Sequence, residues 1–118
     1  MQTNVFVGNV AAAPKLTGTG ENAVCKFTLI ETAYAGTDKE TGEKRERTTA
    51  IQFTAFRKLA EVIMANSRKG DQLAVNYRIE NNNYKKEGED VYSYNFVVEE
   101  FAFGAPGKIK RAELEAAQ

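Results

Sequence analysis

Apolar and polar residues alternate with a period of two along five stretches of the chain. Successive side chains of a strand point to opposite faces, so this alternation predicts strands with one buried and one exposed face. The predicted strands are Asn4–Ala12, Ala23–Tyr34, Thr48–Phe56, Gln72–Tyr84 and Val91–Phe103. The chain is therefore predicted to be mainly β.

One stretch between the third and fourth predicted strands has helical spacing instead. Leu59, Val62 and Ile63 recur at helical intervals, and Gly70 is a suitable stop for a helix. Three strands, a helix and two further strands form the element order of the OB-fold, a five-stranded Greek-key barrel. We therefore predict an OB-fold with one short helix between strands 3 and 4.

The polar segments between these elements are predicted to be loops and turns. Residues 35–47 form a polar loop or the tip of a hairpin, and Lys85–Gly88 form a hairpin turn. A length of 118 residues suggests one domain, which we place at residues 1–104. Residues 105–118 are a short extension, and Lys108–Gln118 within it is interpreted as either a weak helix or a frayed tail.

Aromatic residues fall on strand faces that the alternation assigns to solvent. In the third strand Thr49 and Phe53 lie on the apolar face, which is predicted to face inward, whereas Phe56 ends the polar face. Tyr84 ends the polar face of the fourth strand, and Tyr34 lies opposite the apolar residues of the second. A β-bulge would shift such assignments by one residue, but three strands agree. An exposed ring on a small barrel suits a flat partner such as a nucleobase.

The residue types needed for catalysis are scarce. The chain has no histidine, which excludes histidine acid–base catalysis and histidine metal sites. Cys25 is the only cysteine and shares a face with Phe27 and Leu29, so we expect a buried, unreactive thiol. No glycine-rich nucleotide-binding motif is present. We predict that the protein is not an enzyme and needs neither a cofactor nor a metal.

The charge distribution and hydropathy set further limits. The 16 basic and 16 acidic residues cancel, which gives no general sign of a polyanion-binding protein. Residues 31–70 carry eight basic and six acidic side chains, so a nucleic-acid face is expected to draw on this part. No apolar run is long enough to cross a bilayer, and no secretory leader is visible, so we predict a cytoplasmic protein without membrane partners.

Six segments, in this order, carry a family resemblance: Asn4–Val10, Val24–Leu29, Lys39–Glu43, Phe56–Val62, Arg68–Asp71 and Tyr92–Val98. Over residues 3–103 the chain resembles the bacterial-type single-stranded DNA-binding protein family (SSB). The resemblance implies a nucleoid-associated homo-oligomer, usually a tetramer. It also implies that single strands are wrapped without sequence preference by stacking of bases on aromatic residues.

The resemblance also implies individual site residues. Phe56 matches a base-stacking aromatic, Tyr84 falls where the family usually has Trp, and Tyr34 lies beside a position that is often aromatic. Ala50 occupies another usual Trp position, so one stacking platform is missing. Three retained basic residues are implied to contact DNA: Lys58, Arg68 and Lys69.

Two departures from the family change the expected partners. Glu80–Asn83 replaces a basic stretch of the fourth strand, which thins the positive lining of the binding face. The family's flexible tail with an acidic tip has no counterpart in residues 108–118. We therefore expect no recruitment of repair enzymes through an acidic tail.

The first strand is apolar on both faces. Val5 and Val7 alternate with Phe6, Gly8 and Val10, and a single barrel buries only one of these faces. In the resembled family this strand pairs with its twin across a two-fold axis. We therefore place Val5 and Val7 in a homo-oligomer interface and expect a tetramer rather than a dimer.

Two functions of different class fit the sequence. The first is sequence-independent binding of single-stranded DNA in replication, recombination or repair, which the exposed aromatics favour. The second is an OB-fold assembly module of a replication or primosome-type complex whose main ligand is a protein. The zero net charge, Ala50 and the asparagine-rich fourth strand favour this second function.

Overall fold

The computed structural model describes residues 2–117, apart from the side chains of Tyr34 and Ala35. Its strands and helices, in chain order, are β1 (Asn4–Val10), β2 (Lys15–Thr17), β3 (Val24–Thr37), β4 (Lys44–Phe56), α1 (Arg57–Asn66), β5 (Gln72–Asn81), β6 (Tyr84–Lys86), β7 (Glu89–Val91), β8 (Tyr94–Phe103) and α2 (Lys108–Ala116). A 3₁₀ turn at Gly20–Asn22 precedes β3.

Five strands close into a barrel. Neighbouring strands follow the order β1, β5, β8, β4, β3, and β3 returns to β1 at Asn9 and Val10. In the described part of the chain, β4 and β8 run parallel and meet at the single pair Thr54–Val97. The helix α1 joins the third and fourth barrel strands. This is the Greek-key OB-fold that the element order predicts, so the prediction of fold class is confirmed.

The barrel is filled by the side chains that alternation places on the inward faces. Phe53 of β4 is fully buried, and its ring centroid lies 5.0 Å from that of Tyr77. Cys25 of β3 is also buried, and this burial raises the pKa of its thiol. A Cβ at Gly8 would lie 2.9 Å from the carbonyl oxygen of Ile30, so β1 and β3 can approach this closely only at a glycine.

The strands β3 and β4 continue past the barrel as a hairpin, which we call the arm (residues 31–49). The sequence predicts either a loop or a hairpin tip for residues 35–47. The structure shows a hairpin, with strands paired as far as Thr37 and Lys44. Thr49, predicted to face inward, is exposed because its part of β4 has left the barrel. Polar residues on both faces of the arm give no alternation, so the pattern ended the second predicted strand too early and began the third too late.

The fourth predicted strand is two elements in the structure. β5 ends at Asn81, and Tyr84 begins β6, which pairs with β7 in a separate two-stranded sheet. We call β6 and β7 the Tyr84 hairpin. The alternation along β5 therefore does not extend to Tyr84, and the assignment of this residue to the fourth strand was wrong. Asparagine is depleted in strands, and Asn82 and Asn83 form the break.

The helix α1 packs one side on the barrel. Ala60 and Ile63 are buried, and Leu59 and Val62 are half-buried, as the helical spacing predicts. Gly70 has a φ of 92°, a backbone conformation that favours glycine, and turns the chain into β5. The helix itself ends at Asn66, with Ser67 as its C-cap, so the prediction that Gly70 stops the helix was wrong.

The extension forms the helix α2, which is anchored to the barrel by Asp71. Asp71 is 1 % exposed, and its carboxylate accepts hydrogen bonds from the N–H groups of Gly107 at 2.7 Å and Arg68 at 2.8 Å. Lys110 Nζ lies 3.4 Å from the same carboxylate and 4.3 Å from the centroid of the Phe103 ring. Of the two predicted alternatives, helix and frayed tail, the structure shows the helix.

Candidate nucleic-acid interface

Phe56 ends β4 on the outside of the barrel. Its side chain is 42 % exposed and shares the outer face with Gln52 and Thr54, whereas Phe53 and Ala55 point into the core. The prediction that Phe56 lies exposed on a polar face is confirmed. Full burial of such a ring would stabilise the fold by about 1.5–3 kcal/mol, so its position is not explained by core packing.

The residue that follows Phe56 has an unusual backbone. Arg57 has a φ of 58°, in the left-handed region that costs L-residues about 1–2 kcal/mol. Its N–H donates a hydrogen bond to the carbonyl oxygen of Ala23 at 2.9 Å, which fixes this turn against the barrel. The turn converts strand into helix within one residue and leaves Phe56 at the rim. Backbone strain of this kind clusters at functional sites.

Positive charge gathers at the first turn of α1. Arg57 and Lys58 are exposed there, and this turn has no acidic residue. A helix N-terminus is itself partly positive, so cations at this end are typically unfavourable by about 0.3–1 kcal/mol. Among the described residues, no carboxylate lies within 4.0 Å of Lys58 Nζ. A bound anion such as phosphate would remove this penalty.

A groove beside Phe56 contains charges of both signs; we call it the Phe56 groove. It is lined by Glu21, Phe56, Arg57, Leu59, Arg78, Val97, Val98 and Glu99. Arg78 donates to Glu80 at 2.6 Å and to Glu99 at 3.2 Å. These hydrogen bonds, the one to Glu80 first, raise the pKa of Arg78. The Arg78 charge is therefore largely compensated within the free protein.

Arg68 and Lys69 lie at the other end of α1. Ten helical residues separate them from Phe56, which corresponds to about 15 Å along the axis. Arg68 Nε is 3.1 Å from a Glu113 carboxylate oxygen, and Arg68 Nη1 donates to two backbone carbonyls. Lys69 is exposed. The structure does not bring these two residues to the Phe56 groove, and their contact with DNA stays a prediction.

Tyr84 lies on the Tyr84 hairpin and is 51 % exposed. A small groove joins it to Tyr92, which is 73 % exposed, and Tyr94 at the start of β8 is 59 % exposed. Sequence reasoning did not select Tyr92 or Tyr94. The available signal was their i, i+2 spacing around Ser93, which places two aromatic rings on one side of an extended segment.

Tyr34 lies in the arm, where its backbone is paired with that of Glu46. Its side chain lies outside the described part of the structure, so its assignment as a stacking residue stays a prediction.

The outer face of β1 is apolar and open. Val5 and Val7 are 65 % and 45 % exposed, while the alternate residues point into the core. β1 pairs with β5 along its length, but its pairing with β3 is confined to its last two residues. Among the described strands, none pairs with the remaining edge of β1, from Asn4 to Gly8.

Within residues 2–117, no three His, Cys, Asp or Glu side chains come together in a group suited to a metal ion. Neither of the helices in that range is long and apolar enough to cross a membrane.

A closed OB barrel with exposed aromatic rings and basic residues on its outside has the architecture of an oligonucleotide-binding protein. The family model described as "Single-strand binding protein family" (SSB) matches residues 1–104. The chain belongs to this family, as the sequence resemblance indicated.

Two solved structures share the fold at low sequence identity. A small single-stranded DNA-binding protein from Streptomyces coelicolor is 23 % identical, with a TM-score of 0.63 over 87 % of this chain and 94 % of that one. A Plasmodium falciparum SSB in complex with ssDNA is 14 % identical, with a TM-score of 0.70 over 88 % of this chain and 95 % of that one. The similarity confirms the OB-fold.

Proposed function

We propose that the protein binds single-stranded DNA without base specificity. The observation that carries this proposal is the 42 % exposed Phe56 ring on a polar face, two residues before Lys58, which has no carboxylate partner among the described residues. Membership of the SSB family supports the same function. Every base has a π-face, so one ring accepts any base, and each stack contributes about 1–3 kcal/mol.

Each residue of the proposed site has a separate task. Phe56 and Tyr84 stack bases, and Tyr34 is a third predicted platform. Lys58 and Lys69 contact phosphates, and Arg68 does so by exchanging its Glu113 partner for the backbone of DNA. With no net charge on the chain, only a few phosphates are neutralised per subunit, each contributing about 0.7 to the salt slope.

The proposed role is non-enzymatic. The protein covers exposed strands during replication, recombination or repair, in the cytoplasm and in association with the nucleoid. Residues 1–104 are the binding domain, and residues 105–118 are an extension that docks on it through Asp71.

A titration with oligo(dT) at low and high salt tests this function. We expect tighter binding of oligo(dT) than of a duplex of equal length. Phe56→Ala should weaken oligo(dT) binding by about 1–3 kcal/mol with little change in thermal unfolding. Leu16→Ala is the control, because Leu16 is similarly exposed, at 37 %, but lies on β2.

Equal affinity for duplex and single strand would contradict the proposal and favour an assembly module with a protein ligand. Unchanged binding by a thermally destabilised Phe56→Ala variant would assign this ring to the core instead.

We further propose that the protein is a homo-oligomer, a tetramer rather than a dimer. The free edge of β1 and the exposed Val5 and Val7 form a surface that a second copy can cover by strand pairing across a two-fold axis. Sedimentation should show an oligomer that Val5→Glu dissociates. Because several linked sites bind one long strand, this variant should lose more affinity for long than for short oligo(dT). A wild-type monomer at micromolar concentration would contradict the proposal.

A further inference from the structure

A second groove lies where β4 and β8 separate from their contact at Thr54 and Val97. It encloses about 320 Å³ and is lined by Lys26, Ala50, Ile51, Gln52, Thr54, Tyr94, Asn95 and Phe96. We call it the Tyr94 groove. Gln52 and Thr54 belong to the outer face of β4 that ends in Phe56, so this groove continues the surface on which Phe56 is exposed.

The Tyr94 groove differs in charge from the Phe56 groove. Among the described residues of its lining, Lys26 alone is charged, whereas Glu21 and Glu99 line the Phe56 groove. Its other polar side-chain groups are the Gln52 and Asn95 amides and the hydroxyls of Thr54 and Tyr94. The lining thus offers one cation and several hydrogen-bonding groups without a carboxylate that would repel phosphate.

None of the described contacts of the Tyr94 ring explains its position by packing or hydrogen bonding. It is 59 % exposed, and among the described residues it has neither an aromatic partner nor a hydrogen bond from its hydroxyl group. Phe103 is a useful contrast, because its ring is 41 % exposed but is covered by the Lys110 ammonium group. Ala50, in the same lining, is small and leaves the space beside Tyr94 open.

We propose that the Tyr94 groove holds one nucleotide of the bound strand, with its base stacked on Tyr94 and its phosphate near Lys26. The inference rests on the proposed single-strand binding and adds to it a subsite and a binding residue. Gln52 in this groove and Phe56 are four residues apart on β4, which corresponds to about 13 Å. One strand that follows the outer face of β4 therefore reaches both Tyr94 and Phe56.

The chain has no tryptophan, so a single introduced indole reports on its own site. Tyr94→Trp keeps an aromatic ring at this position, and its emission should be quenched by oligo(dT) binding. Leu16→Trp, on β2 outside the groove, is the control whose emission should not change.

Affinity measurements complete the test. Tyr94→Ala should weaken oligo(dT) binding by roughly 5- to 150-fold, the range of one lost stack. Adding Ala50→Trp to Tyr94→Ala should restore most of this loss, because it places an aromatic ring in the same groove. Lys26→Ala should lower the salt slope by about 0.7.

The outcomes separate this inference from the proposed function. If Phe56→Ala weakens binding while Tyr94→Ala binds like the wild type and the indole at position 94 is not quenched, the Tyr94 subsite is wrong and the function stands. A Tyr94→Ala loss explained by unfolding, with an unquenched indole at position 94, also overturns the subsite. If wild-type protein does not bind oligo(dT), both proposals fail.

Discussion

The two ends of helix α1 carry similar basic residues in different electrostatic settings. At the N-terminal end, Lys58 has no carboxylate partner among the described residues and stands beside an exposed Phe56. At the C-terminal end, Arg68 pairs with Glu113, 45 residues further along the chain, and its N–H is held by Asp71. The comparison teaches that a motif fixes the position of a charge, whereas distant partners decide whether that charge is available to a ligand.

The largest expected effect is at the C-terminal end. Asp71→Ala removes a buried carboxylate that accepts two N–H groups and pairs with Lys110. We expect the free energy of unfolding in denaturant to fall by about 3 kcal/mol, with oligo(dT) affinity per folded molecule unchanged. The exposed Asp90→Ala is the matched control and should change stability by less than about 0.5 kcal/mol. A weakened affinity with normal stability in Asp71→Ala would break the comparison.

A matched pair of charge deletions sharpens the comparison. Lys58→Ala should reduce the slope of log affinity against log salt by about 0.7, because one phosphate contact is lost, and should leave stability unchanged. Arg68→Ala should change this slope less and lower stability by about 0.5 kcal/mol, since its ion pair with Glu113 is partly exposed. Salt titrations and thermal unfolding of both variants provide the measurement. If Arg68→Ala changes the slope of log affinity against log salt more than Lys58→Ala does, the C-terminal end of α1, and not the N-terminal end, offers its charge to DNA.

A further prediction concerns the strained turn at the start of α1. Arg57→Gly should raise the free energy of unfolding by about 1 kcal/mol, because glycine adopts a φ of 58° without a steric penalty. Arg57→Lys keeps both the charge and the strain, so it should match the wild type in stability and in salt slope. Equal stabilities of the glycine and lysine variants would show that the turn stores no strain.

Alternation predicted the sides of the strands well where the barrel covers them. The burial of Phe53 and the exposure of Phe56 both follow from parity along β4. The same reasoning placed Thr49 on an inward face, yet Thr49 is exposed. The hydropathy pattern shows which face of a strand is apolar, but it does not show at which residue the strand extends beyond the barrel.

The candidate site was predictable only as far as local sequence determines it. Phe56 and Lys58 are neighbours in sequence, so one strand end and one helix start place them together. The Glu113 partner of Arg68 and the lining of the Tyr94 groove depend on contacts between distant segments. The hydrophobic periodicity of the sequence does not predict such contacts, because they form only when the barrel closes and α2 packs against it.

The separate sheet of the Tyr84 hairpin has a kinetic consequence. At its base, the described hydrogen bonds are Asn82 N–H to the Ser93 carbonyl at 2.8 Å and Ser93 N–H to the Asn83 side chain at 3.3 Å. The hairpin shares no strand ladder with the described barrel, so it can change its angle without breaking a barrel hydrogen bond. A strand held by both Tyr84 and Phe56 would then dissociate in steps, with the base on the hairpin released first and the base at the rigid rim last. After the hairpin has released its base, a second copy of the protein can bind that base before the first copy has left the strand. Replacement of one bound copy by another can then be faster than complete dissociation of the first.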